Sequence, residues 1–324
     1  MSSGLIKEKK TTHINSNPPI DVVILWVDGS DTNHQNKMRP FLSDKEKMSE
    51  KKFRTRFDQV NEIQYTIESI LKYATYIRRI FIVTDNQSPE FIKNNPNRYP
   101  KVSIIDHKVI FEGHHDVLPT FNCRSIETCI YRIPDLSEHF IYFNDDFCLI
   151  NPTTISDFFV DGKPVLRGSW QSFDEDRFIK SLKPKRYGHK HAQQLAAKLV
   201  GLKRYYNFKH TPHPMRKSTF ELFFSKNNNV FRNNIKHRFR SINQFTPQGL
   251  ANHLEIKNKS CILKKKRSLL YFRSYKKPLL WYTIKLNLFS KRKLFFASQS
   301  LDLCPTKKRQ YILDWLQNRI HQSM

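Results

Sequence analysis

Phe140-Ile141-Tyr142-Phe143-Asn144-Asp145-Asp146-Phe147 decides how this chain is read: an aromatic and β-branched run stops abruptly at an amide and two adjacent carboxylates. A run this short, closed by polar residues, reads as a buried strand. At the C-terminal end of a strand in an open α/β sheet, side chains face the crevice where ligands bind. Two neighbouring carboxylates there repel each other unless something positive separates them. A hard divalent cation, Mg²⁺ or Mn²⁺, suits the place, because it prefers oxygen ligands and bridges protein carboxylates to substrate phosphates. Asp145 and Asp146 are therefore the candidate metal ligands. An Asn-Asp-Asp turn that merely closes a strand uses the same residues, so the choice between the two rests on the remainder of the chain.

Upstream, Ile20–Val27 is a hydrophobic strand that runs straight into Asp28-Gly29-Ser30-Asp31. Nucleotide-binding α/β domains begin in this way, a Gly in the loop letting backbone approach a ligand. No GxGxxG and no phosphate-cradling Gly-Lys-Ser/Thr sequence is present, which argues against a dinucleotide oxidoreductase and a P-loop NTPase. Ile63, Ile67, Ile70 and Leu71 recur at helical spacing and predict an amphipathic helix within Asn61–Tyr76. Ile77–Thr84 and Val102–Asp106 read as further strands, with Ser88-Pro89-Glu90 as N-cap, first-turn Pro and acid of a helix between them. A helix through Ser125–Ile133 would bring Glu127 and Arg132 near the central strand. This alternation predicts a Rossmann-like, mainly parallel sheet with helices on both faces.

The charge is divided unevenly along the 324 residues. Residues 1–176 carry 22 Lys and Arg against 25 Asp and Glu, whereas 177–324 carry 34 against 4. A nearly neutral half thus precedes one of about +30, which implies an anionic partner: nucleic acid, a phospholipid surface, or a phosphate-bearing substrate or polymer. The five cysteines lack paired metal-ligand spacing and read as reduced thiols. Residues 1–19 contain no apolar h-region, and no run approaches the length of a membrane span, so neither export nor a spanning helix is expected.

In the basic half, His210-Thr211-Pro212-His213-Pro214-Met215-Arg216-Lys217-Ser218 places His213 between two prolines, three residues after His210, at the entry to an expected helix bearing Phe220, Leu222 and Phe223. A rigidly placed imidazole is a good general base, although a lone His is more often structural. His237-Arg238-Phe239-Arg240 adds guanidinium groups, whose planar fork suits phosphate oxygens. A solvated basic face is the ordinary fate of such a run. Between Ile256 and Leu301 there is no acid, and Lys and Arg alternate with Leu269-Leu270-Tyr271-Phe272 and Leu279-Leu280-Trp281-Tyr282. That mixture suits an interfacial element on anionic lipid better than single-stranded nucleic acid, because its clusters are aliphatic as well as aromatic. Helices are expected over Phe245–Ile256 and Thr306–Ile320.

Five segments together resemble the Stealth family of sugar-1-phosphate transferases: DVVILWVDGSD (21–31), RIFIVTDNQ (79–87), LPTFNCRSIETCIYRI (118–133), SEHFIYFNDD (137–146) and HTPHPMRKSTF (210–220). That family includes bacterial capsular-polysaccharide phosphotransferases and the catalytic part of the lysosomal-enzyme N-acetylglucosamine-1-phosphotransferase. The likeness runs from about Ile20 to His253. Near Phe295–Cys304, where the family's last block would supply an Asn-Asp pair, this chain has Ser298-Gln299-Ser300-Leu301-Asp302.

The resemblance implies transfer of a hexose-1-phosphate from a nucleotide-diphosphate sugar to a saccharide hydroxyl, in capsular or exopolysaccharide synthesis. Asp145 and Asp146 would hold Mg²⁺ or Mn²⁺; His213, with His210 as second choice, would take the hydroxyl proton; Arg240, with Arg216 as the weaker candidate, would stabilise the phosphoryl oxygens. Trp26, Asp28, Gly29 and Asp31 would shape the donor site, with Asn122, Arg124 and Glu127 near the sugar or pyrophosphate. The expected architecture is a glycosyltransferase-A-like catalytic domain over residues 20–256, with a basic insertion at about 177–209. A disordered leader (1–19) would precede it and a basic, mostly helical part (257–324) would follow. The partners implied are the nucleotide sugar, a growing polysaccharide or lipid-linked saccharide, and an anionic membrane touched peripherally from the cytoplasm. Two rivals stand beside this reading: a metal-dependent glycosyltransferase that releases a nucleoside diphosphate, and a nucleic-acid-binding protein, which is not the partner class expected.

Overall fold

The computed structural model describes residues 18–42, 60–176, 178, 188–208, 210–266 and 268–322. The expected leader up to residue 17, and residues 177, 179–187 and 209 of the basic insertion, lie outside them. In chain order the strands are β1 (Ile20–Leu25), β2 (Ile77–Thr84), β3 (Val102–Asp106), β4 (His139–Phe143), β5 (Phe147–Leu149), β6 (Phe159–Val160), β7 (Lys163–Gln171), β8 (Tyr205–Phe208), β9 (His213–Arg216), β10 (Ile262–Lys264), β11 (Leu269–Phe272) and β12 (Phe295–Ser298). The helices are α1 (Thr32–Met38), α2 (Glu62–Tyr73), α3 (Glu90–Asn94), α4 (His107–Ile110), α5 (Cys123–Cys129), α6 (His189–Leu199), α7 (Lys217–Lys226), α8 (Asn228–Ile235), α9 (Pro247–Lys257), α10 (Leu279–Phe289) and α11 (Thr306–His321).

The main sheet has the order β3-β2-β1-β4-β9, parallel from β3 to β4 and closed by antiparallel β9. Its two faces follow from the alternation of side chains along each strand. Val23, Phe140, Tyr142 and Met215 face a core shared with α5, α7, α8 and α9. Val22, Ile24, Ile141 and Phe143 face the other core, where Ile63, Ile67 and Ile70 supply the apolar stripe of α2. Asp21 is the exception inside β1, and it is satisfied. Its buried carboxylate takes Arg78 in a two-pronged pair at 2.9 and 2.6 Å and the Ser137 N–H at 2.8 Å.

Several local expectations change. The helix expected after Ser88 starts at Glu90 with Pro89 in the cap position and no side-chain cap. α5 starts at Cys123, two residues early, because Asn122 Oδ1 accepts the Arg124 N–H at 3.2 Å. The helix expected after the two prolines is α7, which starts at Lys217. His213-Pro214 lies ahead of it in β9, where a proline is tolerated because an edge strand has one free hydrogen-bonding side. The part after residue 257 contains α10 and α11 and also β10, which pairs with β7, and β11 and β12. β12 pairs antiparallel with β5, directly after the two aspartates. Among the described residues no helix is long and apolar enough to cross a membrane.

Candidate functional site

After Phe143 the chain turns, the Phe147 N–H donating to Asn144 O at 3.2 Å. α2 holds this turn from below. Thr66 Oγ1 donates to the Asp145 carbonyl at 2.6 Å, and Ser69 Oγ accepts the Leu149 N–H at 3.0 Å. One helical turn before Thr66, Glu62 accepts the Val60 N–H at 2.6 Å and lies within electrostatic reach of both aspartates. Burial pushes Asp145 up to about 6. Asp146 is raised well above the carboxylate range, by burial first and then by the charges of Asp145 and Glu62. Glu62 goes up to about 7, chiefly through burial. Asp146 Oδ1 is buried and has no hydrogen-bond partner. Three crowded carboxylates with one orphaned oxygen form a site that lacks positive charge.

On the opposite side of β4, Tyr142 is the hub. It stands across from His213 in the β4–β9 register, and its hydroxyl donates to Glu127 Oε1 at 2.8 Å. Burial raises the Glu127 carboxyl, while Gln248 and Tyr142 hold it through hydrogen bonds. Arg240 Nη2 is 3.1 Å from Cys123 Sγ, within the field of Glu127 and Tyr142, and the residue as a whole is exposed. Burial, then the neighbouring His210, press half-buried His213 down to about 4, so its imidazole is neutral at neutral pH. His210 ties the two sides together: its ring centroid is 6.0 Å from Phe147, 5.1 Å from Tyr271 on β11 and 6.2 Å from stacked His189. Asp145 and Asp146 thus lie on one side of the C-terminal end of β4 and His213, Glu127 and Arg240 on the other, with His210 packed against Phe147 just beyond the aspartates.

The remaining expected site residues do other things. Arg216 faces His139 at the far end of the β4–β9 ladder, three residues or about 10 Å of strand from His213. Its guanidinium is bound two-pronged by Glu255 at 2.9 and 2.7 Å, so it is not offered to a phosphate. Glu255 is 1% exposed and also accepts from Thr219 and Ser260. Arg216→Ala is accordingly expected to cost about 3 kcal/mol in urea unfolding, by stranding a buried charge, while turnover per folded molecule stays within twofold.

Asn122 is fully buried and donates to His237 O at 2.9 Å and Gln244 Oε1 at 2.8 Å; Arg124 donates to Ser241 O at 3.0 Å. Both side chains thus pin the 237–244 loop that carries Arg240. At the end of β1, Asp28 Oδ1 orders its own loop by accepting from Ser30, and Asp31 caps α1 through the Asn33 N–H at 2.8 Å. Gln87, from the end of β2, takes the Asp28 N–H and donates to Asp28 O and Asp31 Oδ2, joining the two loops. Gly29 is buried, its carbonyl accepting from Gln35 at 2.8 Å. Trp26 is buried with Nε1 unpartnered. Sequence reasoning missed Glu62, Tyr142, His189 and Tyr271. Only Glu62 left a signal, its helical spacing to Thr66.

Comparison with known proteins adds a lineage. Residues 18–46 match the family model described as Stealth protein CR1, conserved region 1, and residues 56–165 match Stealth protein CR2, conserved region 2. The chain is 33% identical over 246 residues to the capsular polysaccharide phosphotransferase fcs1 of Haemophilus influenzae, covering 74% of this chain and 65% of that one. It is 34% identical over 242 residues to a capsular polysaccharide phosphotransferase of Neisseria meningitidis serogroup B, covering 70% and 62%. The chain therefore spans a little under two thirds of the length of these relatives. The solved galactosyltransferase LgtC, in complex with donor and acceptor sugar analogs, aligns at 10% identity with a TM-score of 0.43, over 92% of this chain and 95% of that one.

Proposed function

The chain belongs to the Stealth family, and from that premise we propose that it transfers a hexose-1-phosphate from a nucleotide-diphosphate sugar to a saccharide hydroxyl, on the cytoplasmic side of capsule or exopolysaccharide synthesis. The acceptor is a growing polysaccharide or a lipid-linked saccharide. The observation that carries the reading is the orphaned Asp146 Oδ1 beside Asp145 and Glu62 at the end of β4, the strand on which Tyr142 pairs with neutral His213. The relatives' names support the same reaction class.

Among the described residues no set of three His, Cys, Asp or Glu is arranged to cage a metal alone. Two adjacent carboxylates with a free oxygen instead fit an ion that takes its other ligands from substrate and water, which is how Mg²⁺ or Mn²⁺ binds beside phosphates. Asp145 and Asp146 would hold it. When bound, such an ion neutralises charge on the pyrophosphate and on the departing nucleotide.

His213, neutral before substrate arrives, accepts the proton of the acceptor hydroxyl. That oxygen forms its bond to the sugar-bearing β-phosphorus as the bond to the nucleoside monophosphate breaks. Arg240, exposed and already charged, pairs with the equatorial oxygens. Glu127 holds Tyr142 by a hydrogen bond and thereby the wall against which His213 stands. Attack at the anomeric carbon would release a diphosphate instead. The experiment is incubation with Mg²⁺, a panel of nucleotide sugars and short saccharide acceptors, followed by phosphorus NMR. A new phosphodiester signal with a nucleoside monophosphate is the expected result; a nucleoside diphosphate without phosphodiester would overturn it.

A second expectation concerns pH. Asp145 is raised from 3.8 to about 6 in the folded chain, so the folded state keeps a proton that the unfolded state has released. The metal-free protein accordingly loses stability as pH rises from about 4 to 6. Divalent cation should offset that loss. Mg²⁺ at about 100 times its Kd contributes about 2.7 kcal/mol, and the rise in Tm should be larger at pH 7.5 than at pH 5, where protons compete. An equal rise at both values would remove the aspartates as ligands.

A further inference from the structure

α10 has two apolar faces and only one of them is packed. Tyr282 and Leu286 are fully buried, against Phe272 and Phe296 in the core that β11, β12 and α11 share. On the opposite side Leu280, Trp281, Ile284 and Leu288 are 67, 39, 45 and 66% exposed, and Phe289 at the C-terminus is 57% exposed. At 100° per residue the positions 280, 284 and 288 form one stripe turned away from the core. A helix that is apolar all round is normally buried all round, and a contiguous exposed apolar stripe marks an interaction site.

Its flanks identify the partner. Lys276 and Lys277 lie just before the helix and Lys291 and Arg292 just after it, all four exposed. No acid occurs from Ile256 to Leu301. Lys285, in contrast, folds back over Trp281, its Nζ 4.5 Å from the ring centroid. A protein partner would need a complementary acidic rim at both ends of one short helix, whereas a bilayer with anionic headgroups offers apolar depth and a negative surface together.

We propose that α10 seats this protein on an anionic lipid surface, with Leu280, Trp281, Ile284 and Leu288 entering the boundary between headgroups and acyl chains and the four flanking cations pairing with lipid phosphates. The surface is independent of the chemistry at β4. Deleting residues 262–296 cannot test this, since that removes β11 and the first half of β12, the strand that pairs with β5.

The test is cosedimentation of the full chain with phosphatidylglycerol–phosphatidylcholine vesicles and with phosphatidylcholine alone. Strong binding is expected only to the anionic vesicles, weakening with added salt. Leu280→Glu/Leu288→Glu should lower the partition coefficient about tenfold or more, and Lys276→Glu/Lys277→Glu/Lys291→Glu/Arg292→Glu should abolish it. Because every substituted side chain is exposed, Tm and turnover on a soluble acceptor should stay unchanged, which separates failure of this proposal from failure of the phosphotransferase reading. Absence of binding to anionic vesicles, or binding that neither variant weakens, overturns the proposal. A concentration-dependent dimer in sedimentation velocity, dissolved by Leu280→Glu/Leu288→Glu in a chain that ignores vesicles, would assign the face to a second copy instead.

Discussion

Asp146→Asn should stop turnover and at the same time make the metal-free protein harder to melt. The two effects come from one oxygen pair. In the folded chain the Asp146 carboxylate is buried beside Asp145 and Glu62, which lifts its pKa well above the ordinary range. An amide of the same shape removes the like-charge repulsion and fills the place of Oδ1 without a charge to compensate. A Tm rise of about 2 °C or more at pH 7.5 is expected, since about 1 kcal/mol moves a domain of this size by a few degrees. The same change removes the charge that would hold a divalent cation, so the Mg²⁺-dependent rise in Tm should disappear. Lewis-acid stabilisation of a phosphoryl transition state is worth several kcal/mol, and its loss corresponds to about a thousandfold in rate or more. Phosphodiester formation followed by phosphorus NMR, beside melting curves with and without Mg²⁺, reads all three quantities. A variant that keeps a tenth of the wild-type rate, or that still stabilises with Mg²⁺, would show that Asp146 is a turn residue and nothing more.

How far the sequence carried is clearest at residues whose partners are near in the chain. β1 to β4 and α2 were legible because period-2 and period-3.6 patterns are local, and Phe140–Asp146 announced both a strand and its polar end. β9 went unread for a physical reason: prolines ahead of an apolar helical pattern announce the entry to a helix, here α7, and only the pairing of Pro214 with Ile141 reveals the edge strand before it. Arg216 was misjudged because its distance from His213 depends on that same conformation. In a helix, residues three apart share a face; in a strand they lie about 10 Å apart and on alternate sides. Asn122 and Arg124 look like ligand groups in a list of polar residues, yet their partners, Gln244 and Ser241, lie more than a hundred positions downstream. Long-range hydrogen bonds of this kind leave no spacing to read. The same holds for Tyr142, whose role as the link between Glu127 and His213 exists only once β4, β9 and α5 are assembled.

His213→Ala is the second decisive substitution, and its effect should separate from that of Asp146→Asn. The imidazole is held neutral, pressed down to about 4 by burial and by His210, and it stands opposite Tyr142 at the end of the ladder. As the acceptor of the hydroxyl proton it should contribute about 10² to 10⁴ to the rate, appearing in kcat with little change in KM for the nucleotide sugar. The Mg²⁺-dependent rise in Tm should survive, because the aspartates are untouched, and a half-buried edge-strand truncation should cost only about 1 kcal/mol of stability. Added imidazole should restore part of the rate, rising with pH as the free base becomes available near its ordinary pKa. His210→Ala is a sharper comparison than a distant control. His210 packs between Phe147 and Tyr271 and stacks on His189, so its loss should loosen the site and lower the rate less, without rescue by imidazole. If His213→Ala retains a tenth of the wild-type kcat, or if imidazole rescues His210→Ala instead, the proton passes to His210 and the two imidazoles exchange roles.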